Sequence, residues 1–143
     1  MKLMDIIKGK GFEVIAVDAG TTVSEAIQKM VDRNIGALLV VEDGKTAGMF
    51  TERDVLKCWA IRGGFDVHVQ DVMTRNLLIA ELDDDVSYAM SIMIQKKVRH
   101  LPVLDKGKVV SVLSIRDVVK AQVSNLQAEV HYLKDYITDR YPG

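Results

Sequence analysis

The sequence predicts an α+β fold: two β-α-β-β-α repeats packed as a pseudo-twofold pair, with a helix appended at the C-terminus. Three observations carry this expectation. Residues 22–54 align without gaps on residues 85–117, and 10 of the 33 positions are identical, a match that duplication explains better than chance. Each copy alternates short β-rich runs with a stretch whose apolar residues recur at helical spacing. From Val119 the apolar residues fall in steps of 4 and 3, a coiled-coil-like seam that distinguishes the tail from the repeats.

The elements follow in order. Near the N-terminus "DII" at 5–7 answers "DVM" at 71–73, with a shorter loop after the second. A strand is expected near 13–17 ("EVIAV") and again near 77–80 ("LLIA"). Next, Val23, Ala26, Ile27, Met30 and Val31 share one helical face, and Thr22 with Glu25 reads as a capping box. The counterpart helix runs over about 86–97, with Asp84 or Asp85 as its cap. "ALLVVED" and "LPVLD" are short β-rich runs, and "DGK" and "KGK" turn each into a returning strand. The returning strands end in the heptads "GMFTERD" at 48–54 and "SVLSIRD" at 111–117, and a helix follows each. The repeats therefore divide the chain into 1–63, 64–122 and a C-terminal extension, 123–143. One copy alone would leave an apolar sheet face uncovered, and two copies can cover each other. From the end of the second repeat into the extension, Val119, Val123, Leu126, Val130, Leu133 and Ile137 form a seam shorter than three heptads. It either docks on a second subunit, making a homodimer, or packs back on its own domain. "YPG" at 141–143 is a helix stop.

Composition narrows the function. With 19 basic and 20 acidic side chains the net charge is −1, so no basic excess recommends nucleic acid or an anionic membrane as partner. The lone cysteine, Cys58, forbids an internal disulfide and fits a reducing, cytoplasmic setting. No apolar stretch near the start is long enough for a signal peptide, and "ALLVV" at 37–41 is far too short to span a bilayer.

The twin heptads admit two readings. Structurally, Thr51 or Ser114 is an N-cap, and Asp54 or Asp117 is the acid of the first turn, a pairing worth about 1 kcal/mol. Chemically, a helix start attracts anions through its unpaired N–H groups, and a hydroxyl there can donate to phosphate. A carboxylate one turn on repels phosphate but accepts from vicinal hydroxyls such as those of ribose, for about 1.5–3 kcal/mol. Gly48 would let a ligand approach the backbone closely.

The two β-α-β-β-α units, "GMFTERD", "SVLSIRD" and "VRHLPVLD" resemble tandem cystathionine-β-synthase (CBS) domains over nearly all of residues 1–122. The chain is similar to small stand-alone prokaryotic pairs of that family. The resemblance implies a non-catalytic regulatory module that binds an adenosine nucleotide between the repeats. AMP comes first, with ADP, ATP, NAD and S-adenosylmethionine as alternatives, and no cofactor is required. It implies two composite sites. In one, Asp54 takes the ribose and Thr51 a phosphate, with Leu78, Ile79 and Val98 against the adenine. In the other, Asp117 and Ser114 play those parts, with Ile15, Ala16, Ile35 and Gly36 as the adenine slot. Arg99 and His100, just before "LPV", reach phosphate, and Arg53 and Arg116 are either further phosphate contacts or solvated helix residues. Two departures make the sites unequal. Ser111 replaces the glycine of the second heptad and narrows that site, and Gly36 and Ala37 stand in the first repeat where the second has Arg99 and His100.

Other features carry less. His68, His100 and His131 are scattered, with no metal-ligand spacing. Asp83, Asp84 and Asp85 precede a helix and lack a calcium-loop pattern. Cys58 reads as a core or interface thiol, Trp59 as an anchor on a helix face or a dimer contact, and Met30, Met73, Met90 and Met93 as core filling. No nucleophile, tuned acid–base pair or metal set is assembled, and "GMFTERD" lacks the ending of a phosphate-binding loop, so no enzyme is expected. The alternative functions are a dimerisation or partner-docking protein with a vestigial cleft, or an NAD sensor. The regulated partner is unknown.

Overall fold

The structure, a computed structural model, describes the backbone of residues 1–140 and the side chains of residues 1–134. The expected stop at 141–143 and the side chain of Ile137 lie outside the described residues. Its elements are α1 (Leu3–Lys10), β1 (Ala16–Asp18), α2 (Val23–Arg33), β2 (Ala37–Glu42), β3 (Lys45–Thr51) and α3 (Glu52–Arg62). A 3-10 turn (Val69–Asp71) follows, then β4 (Ala80–Glu81), α4 (Val86–Lys96), β5 (His100–Asp105), β6 (Lys108–Ser114) and α5 (Ile115–Arg140). This is the expected α+β chain with a C-terminal helix.

The strands form two three-stranded sheets, β1-β2-β3 and β4-β5-β6. In each, the first pair is parallel and bridged by a helix, and the second is an antiparallel hairpin. Both hairpins turn through two residues of positive φ, Asp43 (52°) with Gly44 (75°) and Lys106 (51°) with Gly107 (80°). Turns of that hand match the twist of the flanking strands, which is why glycine holds the second position in both. The leading strands are shorter than the apolar runs suggest, because β1 pairs with β2 only over Ala16–Asp18, and β4 with β5 over Ala80 and Glu81.

The caps are partly as expected. Thr22 accepts the Glu25 amide at 3.2 Å, but Glu25 does not reciprocate. Asp85 caps α4 by position only, since its carboxylate takes the Ser87 hydroxyl at 2.7 Å.

Compactness divides the chain differently from the repeated text. One unit is Glu13–Leu78; the other joins Met1–Phe12 to the chain from Ile79 onward. The reason is a reciprocal exchange: the segment leading into each copy packs on the body of the other copy. In the second unit, Leu3 donates its amide to Asp84 (2.9 Å), Met4 to Leu82 (3.0 Å), and Val86 donates to Met1 (3.0 Å). In the first unit, Val69 donates to Thr21 (2.8 Å), Gln70 to Ala19 (3.3 Å), and Val23 donates to Val67 (2.8 Å). These are the same three bonds at repeat-equivalent positions. Leu3 and Ile7 are fully buried by this, as Val69 and Met73 are buried in the other unit.

Each unit has its own core. The Glu13–Leu78 unit buries Leu38, Val40 and Phe50 from the sheet with Val23, Ala26 and Met30 from α2. The other buries Leu101, Val103 and Leu113 with Val86, Ala89, Met93 and, from α5, Val118. Met30, Met73 and Met93 fill core space as expected, Met90 is half-buried, and the Cys58 thiol is buried and donates to the Gly64 carbonyl at 3.2 Å. Two expectations are corrected. Trp59 does not anchor a buried face: it is 59% exposed, its ring 5.6 Å from that of Phe65. Val31 lies on the solvent side of α2, because Val23, Ala26 and Met30 already cover the sheet. No helix among the described residues is long and apolar enough to cross a membrane.

Candidate functional site

Each returning strand delivers a hydroxyl and a carboxylate to a helix start. Thr51 ends β3 and caps α3; Ser114 ends β6 and precedes α5. Both capping arrangements form. The Thr51 amide donates to Asp54 Oδ2 at 2.9 Å and the Asp54 amide to Thr51 Oγ1 at 3.4 Å; the Ser114 and Asp117 pair makes the same bonds at 2.9 and 3.0 Å. The β2 and β5 entries are tied to these corners identically, by Glu52 N–H to the Gly36 carbonyl (3.0 Å) and Ile115 N–H to the Arg99 carbonyl (2.8 Å).

From there the two corners diverge. Asp54, expected to lie open to a ribose, is 4% exposed and already engaged. Thr74 Oγ1 lies 3.0 Å from its Oδ1 and 3.2 Å from its Oδ2, and the Thr51 hydroxyl lies 3.1 Å from Oδ2. Thr74 is held there by a backbone bridge, donating to the Met49 carbonyl at 2.8 Å and accepting from the Met49 amide at 2.9 Å. Gly48 permits this approach. A Cβ on it would stand 2.5 Å from the Thr74 carbonyl oxygen. The space Gly48 leaves is therefore filled by the chain itself, not held for a ligand, which corrects the reading made from sequence.

At the second corner Ser111 supplies that Cβ, and the leading segment runs on as α1 instead of pairing with the strand. Lys10 takes over. Its Nζ donates to the Val112 carbonyl at 2.9 Å and to Asp117 Oδ2 at 2.7 Å. A lysine ammonium thus makes toward Val112 and Asp117 the two bonds that Thr74 makes toward Met49 and Asp54. The Asp117 side chain remains 32% exposed, and its Oδ1 has no donor among the described residues. Ser111 Oγ is fully buried and has no hydrogen-bond partner among the described residues.

The sequence-predicted cations gather at this corner. His100 is registered opposite Ser114 across the hairpin, Arg99 is tied to the first residue of α5, and Arg116 is exposed in its first turn. With Lys10, these are the basic groups of the Ser114–Asp117 corner. At the Thr51–Asp54 corner Arg53 is exposed, Gly36 and Ala37 stand where the other corner has Arg99 and His100, and Arg75, next to Thr74, donates to the Gln70 carbonyl at 3.0 Å. Of the apolar set, Ile15, Ala16, Ile35, Gly36 and Leu78 are half-buried in the Glu13–Leu78 unit. Val98, half-buried, and Ile79, 47% exposed, belong to the other. Sequence reasoning missed Lys10 and Thr74. Among the described residues, no group of His, Cys, Asp and Glu could hold a metal ion.

The Lys10 contact makes a pH prediction. Burial pushes the Asp117 carboxyl up, but the Lys10 hydrogen bond, the Ser114 amide, the Lys10 charge and the Ser114 hydroxyl together hold it below the ordinary carboxylate value. A depressed folded-state value stabilises the fold above the unfolded value of about 3.9, and that contribution fades as pH falls through the folded value. Lys10→Ala should therefore raise the Asp117 pKa in a carboxylate NMR titration and flatten the loss of stability below about pH 4. An unchanged titration would show that the ion pair does not form.

Against known proteins, the CBS domain profile matches residues 10–60 and 69–124. The chain is 32% identical to the CBS domain-containing protein CBSX3, mitochondrial, of Arabidopsis thaliana, over 97% of this chain and 73% of that protein. The crystal structure of the CBS-domain containing protein ATU1752 from Agrobacterium tumefaciens superposes with a TM-score of 0.82 at 33% identity, covering 85% of this chain and 99% of that one. A CBS domain protein of Pyrobaculum aerophilum, PAE2072, solved in complex with AMP, shares the fold with a TM-score of 0.71 at 21% identity, over 82% of this chain and 89% of its own.

Proposed function

This chain belongs to the CBS-domain family, with two such domains in tandem, and from that premise we propose that it is a non-catalytic regulatory module binding an adenosine nucleotide, AMP foremost, at the Ser114–Asp117 corner. The observation that carries the reading is the contrast between the two corners: among the described residues Asp117 keeps an oxygen without a donor, and part of its surface is in solvent, while Asp54 is closed over by Thr74. The free carboxylate oxygen suits a ribose hydroxyl. The start of α5, the Ser114 hydroxyl, the cations Arg99 and Arg116 and the His100 imidazole suit the phosphate. The AMP complex of PAE2072 lends support at the level of the fold. The Thr51–Asp54 corner serves structure first, and a ligand there has to displace Thr74.

The test is a thermal-shift series with adenosine, AMP, ADP, ATP, NAD and S-adenosylmethionine. AMP at a hundredfold excess over its dissociation constant stabilises by about 2.7 kcal/mol, whereas adenosine at the same concentration gives a smaller shift. Added salt should weaken AMP more than adenosine. If no adenosine compound moves the midpoint, the module is a structural or partner-docking protein instead.

A further inference from the structure

The long helix α5 carries a face that its own domain does not cover. Val118 is fully buried against the unit, yet the next residues of the seam stand out: Val119 is 38% exposed, Val123 47%, Leu126 49%, Val130 52% and Leu133 55%. Exposure that rises from Val119 to Leu133 shows that these residues of the seam do not pack back onto their own domain. In heptad register Val123 and Val130 take the a positions, and Val119, Leu126 and Leu133 the d positions. Valine at both a positions with leucine at two of the three d positions is close to the combination that favours two parallel strands.

The flanking charges agree. Lys120, Gln127 and Lys134 fall at e, and Gln122 and Glu129 at g. In a parallel pair, each g residue meets the e residue of the following heptad on the other helix. Glu129 then meets Lys134 of the second copy, twice by symmetry, and Gln122 meets Gln127. In an antiparallel pair, e positions face e positions, which sets lysine against lysine. The short length of the seam is offset because α5 is already nucleated, with the Ser114–Asp117 box at its start and Val118 packed in the core.

We propose that α5 binds α5 of a second copy of this chain as a parallel, in-register two-stranded coiled coil through Val119–Leu133, with reciprocal Glu129–Lys134 pairs fixing the orientation. This interface is independent of nucleotide binding. The test is sedimentation of the full chain over a range of micromolar concentrations. The parent should dimerise reversibly. Leu126→Asp should weaken the dimer about tenfold or more at unchanged helix content. Glu129→Lys should weaken it about fivefold, and Glu129→Lys with Lys134→Glu should restore it. Because Cys58 is buried, Leu133→Cys offers a clean cross-linking probe, and oxidation should join two copies. A monomeric parent, a dimer indifferent to Leu126→Asp and Glu129→Lys, or a dimer that Leu133→Cys fails to cross-link each overturns the proposal.

Discussion

Gly48→Ser, which gives the first heptad the residue that the second carries, is expected to destabilise the Glu13–Leu78 unit by about 2–3 kcal/mol, lowering its melting midpoint by roughly 8–24 °C. The new Cβ would stand 2.5 Å from the Thr74 carbonyl oxygen and 3.0 Å from Met73 Sδ. The thioether can rotate away, but the carbonyl is backbone and cannot move alone. Relieving the clash breaks both bonds between Met49 and Thr74, each worth about 1 kcal/mol. It also withdraws the Thr74 hydroxyl from Asp54, leaving a buried carboxylate short of a donor. Hydrogen exchange reads this directly: the Thr74 and Met49 amides should lose protection before the rest of β3. A variant with the parent's midpoint and undiminished protection there would mean that the segment after Val69 does not lie against Gly48.

That prediction could not be made from the sequence, and the reason is physical. The duplication is legible by direct alignment, and both hairpins and the two capping boxes are local, so the residues that specify them lie within a few positions of one another: Thr51 with Asp54, Asp43 with Gly44. The exchange of leading segments is not local, and a duplicated chain is ambiguous about it. Leu3 and Val69 are equivalent, so either fits the pocket of either copy, and periodicity cannot say which it enters. The same ambiguity hid the partners of the two acids. Thr74 and Lys10 do not align with each other, because Asp54 is reached from an extended segment and Asp117 from the end of a helix. Only the difference between Gly48 and Ser111 signalled that the corners would close differently. From sequence alone Gly48 suggests space for a ligand, because its actual neighbour, residue 74, lies 26 residues away in the chain.

The second large effect separates the two acids. Asp117→Asn should weaken AMP binding by roughly 10- to 100-fold, corresponding to the loss of about 1.5–3 kcal/mol from a charge-assisted bond to ribose. The same substitution should leave the affinity for 2′-deoxy-AMP nearly unchanged if the lost bond is the one to the 2′-hydroxyl. Asp54→Asn should do the reverse. Asp54 Oδ2 accepts from the Thr51 amide and hydroxyl, and the Thr74 hydroxyl reaches both oxygens, so an amide group placed there removes an acceptor and sets a donor against donors. Stability should fall by about 1–3 kcal/mol, while AMP affinity, measured calorimetrically below the melting transition, should stay within about twofold of the parent. Asp117→Asn itself loses only a partly exposed cap and ion pair, so its structural cost is expected to be small. The two variants therefore report on different things, and each controls for the other. If Asp54→Asn abolishes binding and Asp117→Asn does not, the ligand displaces Thr74 and the nucleotide corner is the one that the structure shows closed. If neither changes affinity, the sugar is held by other groups.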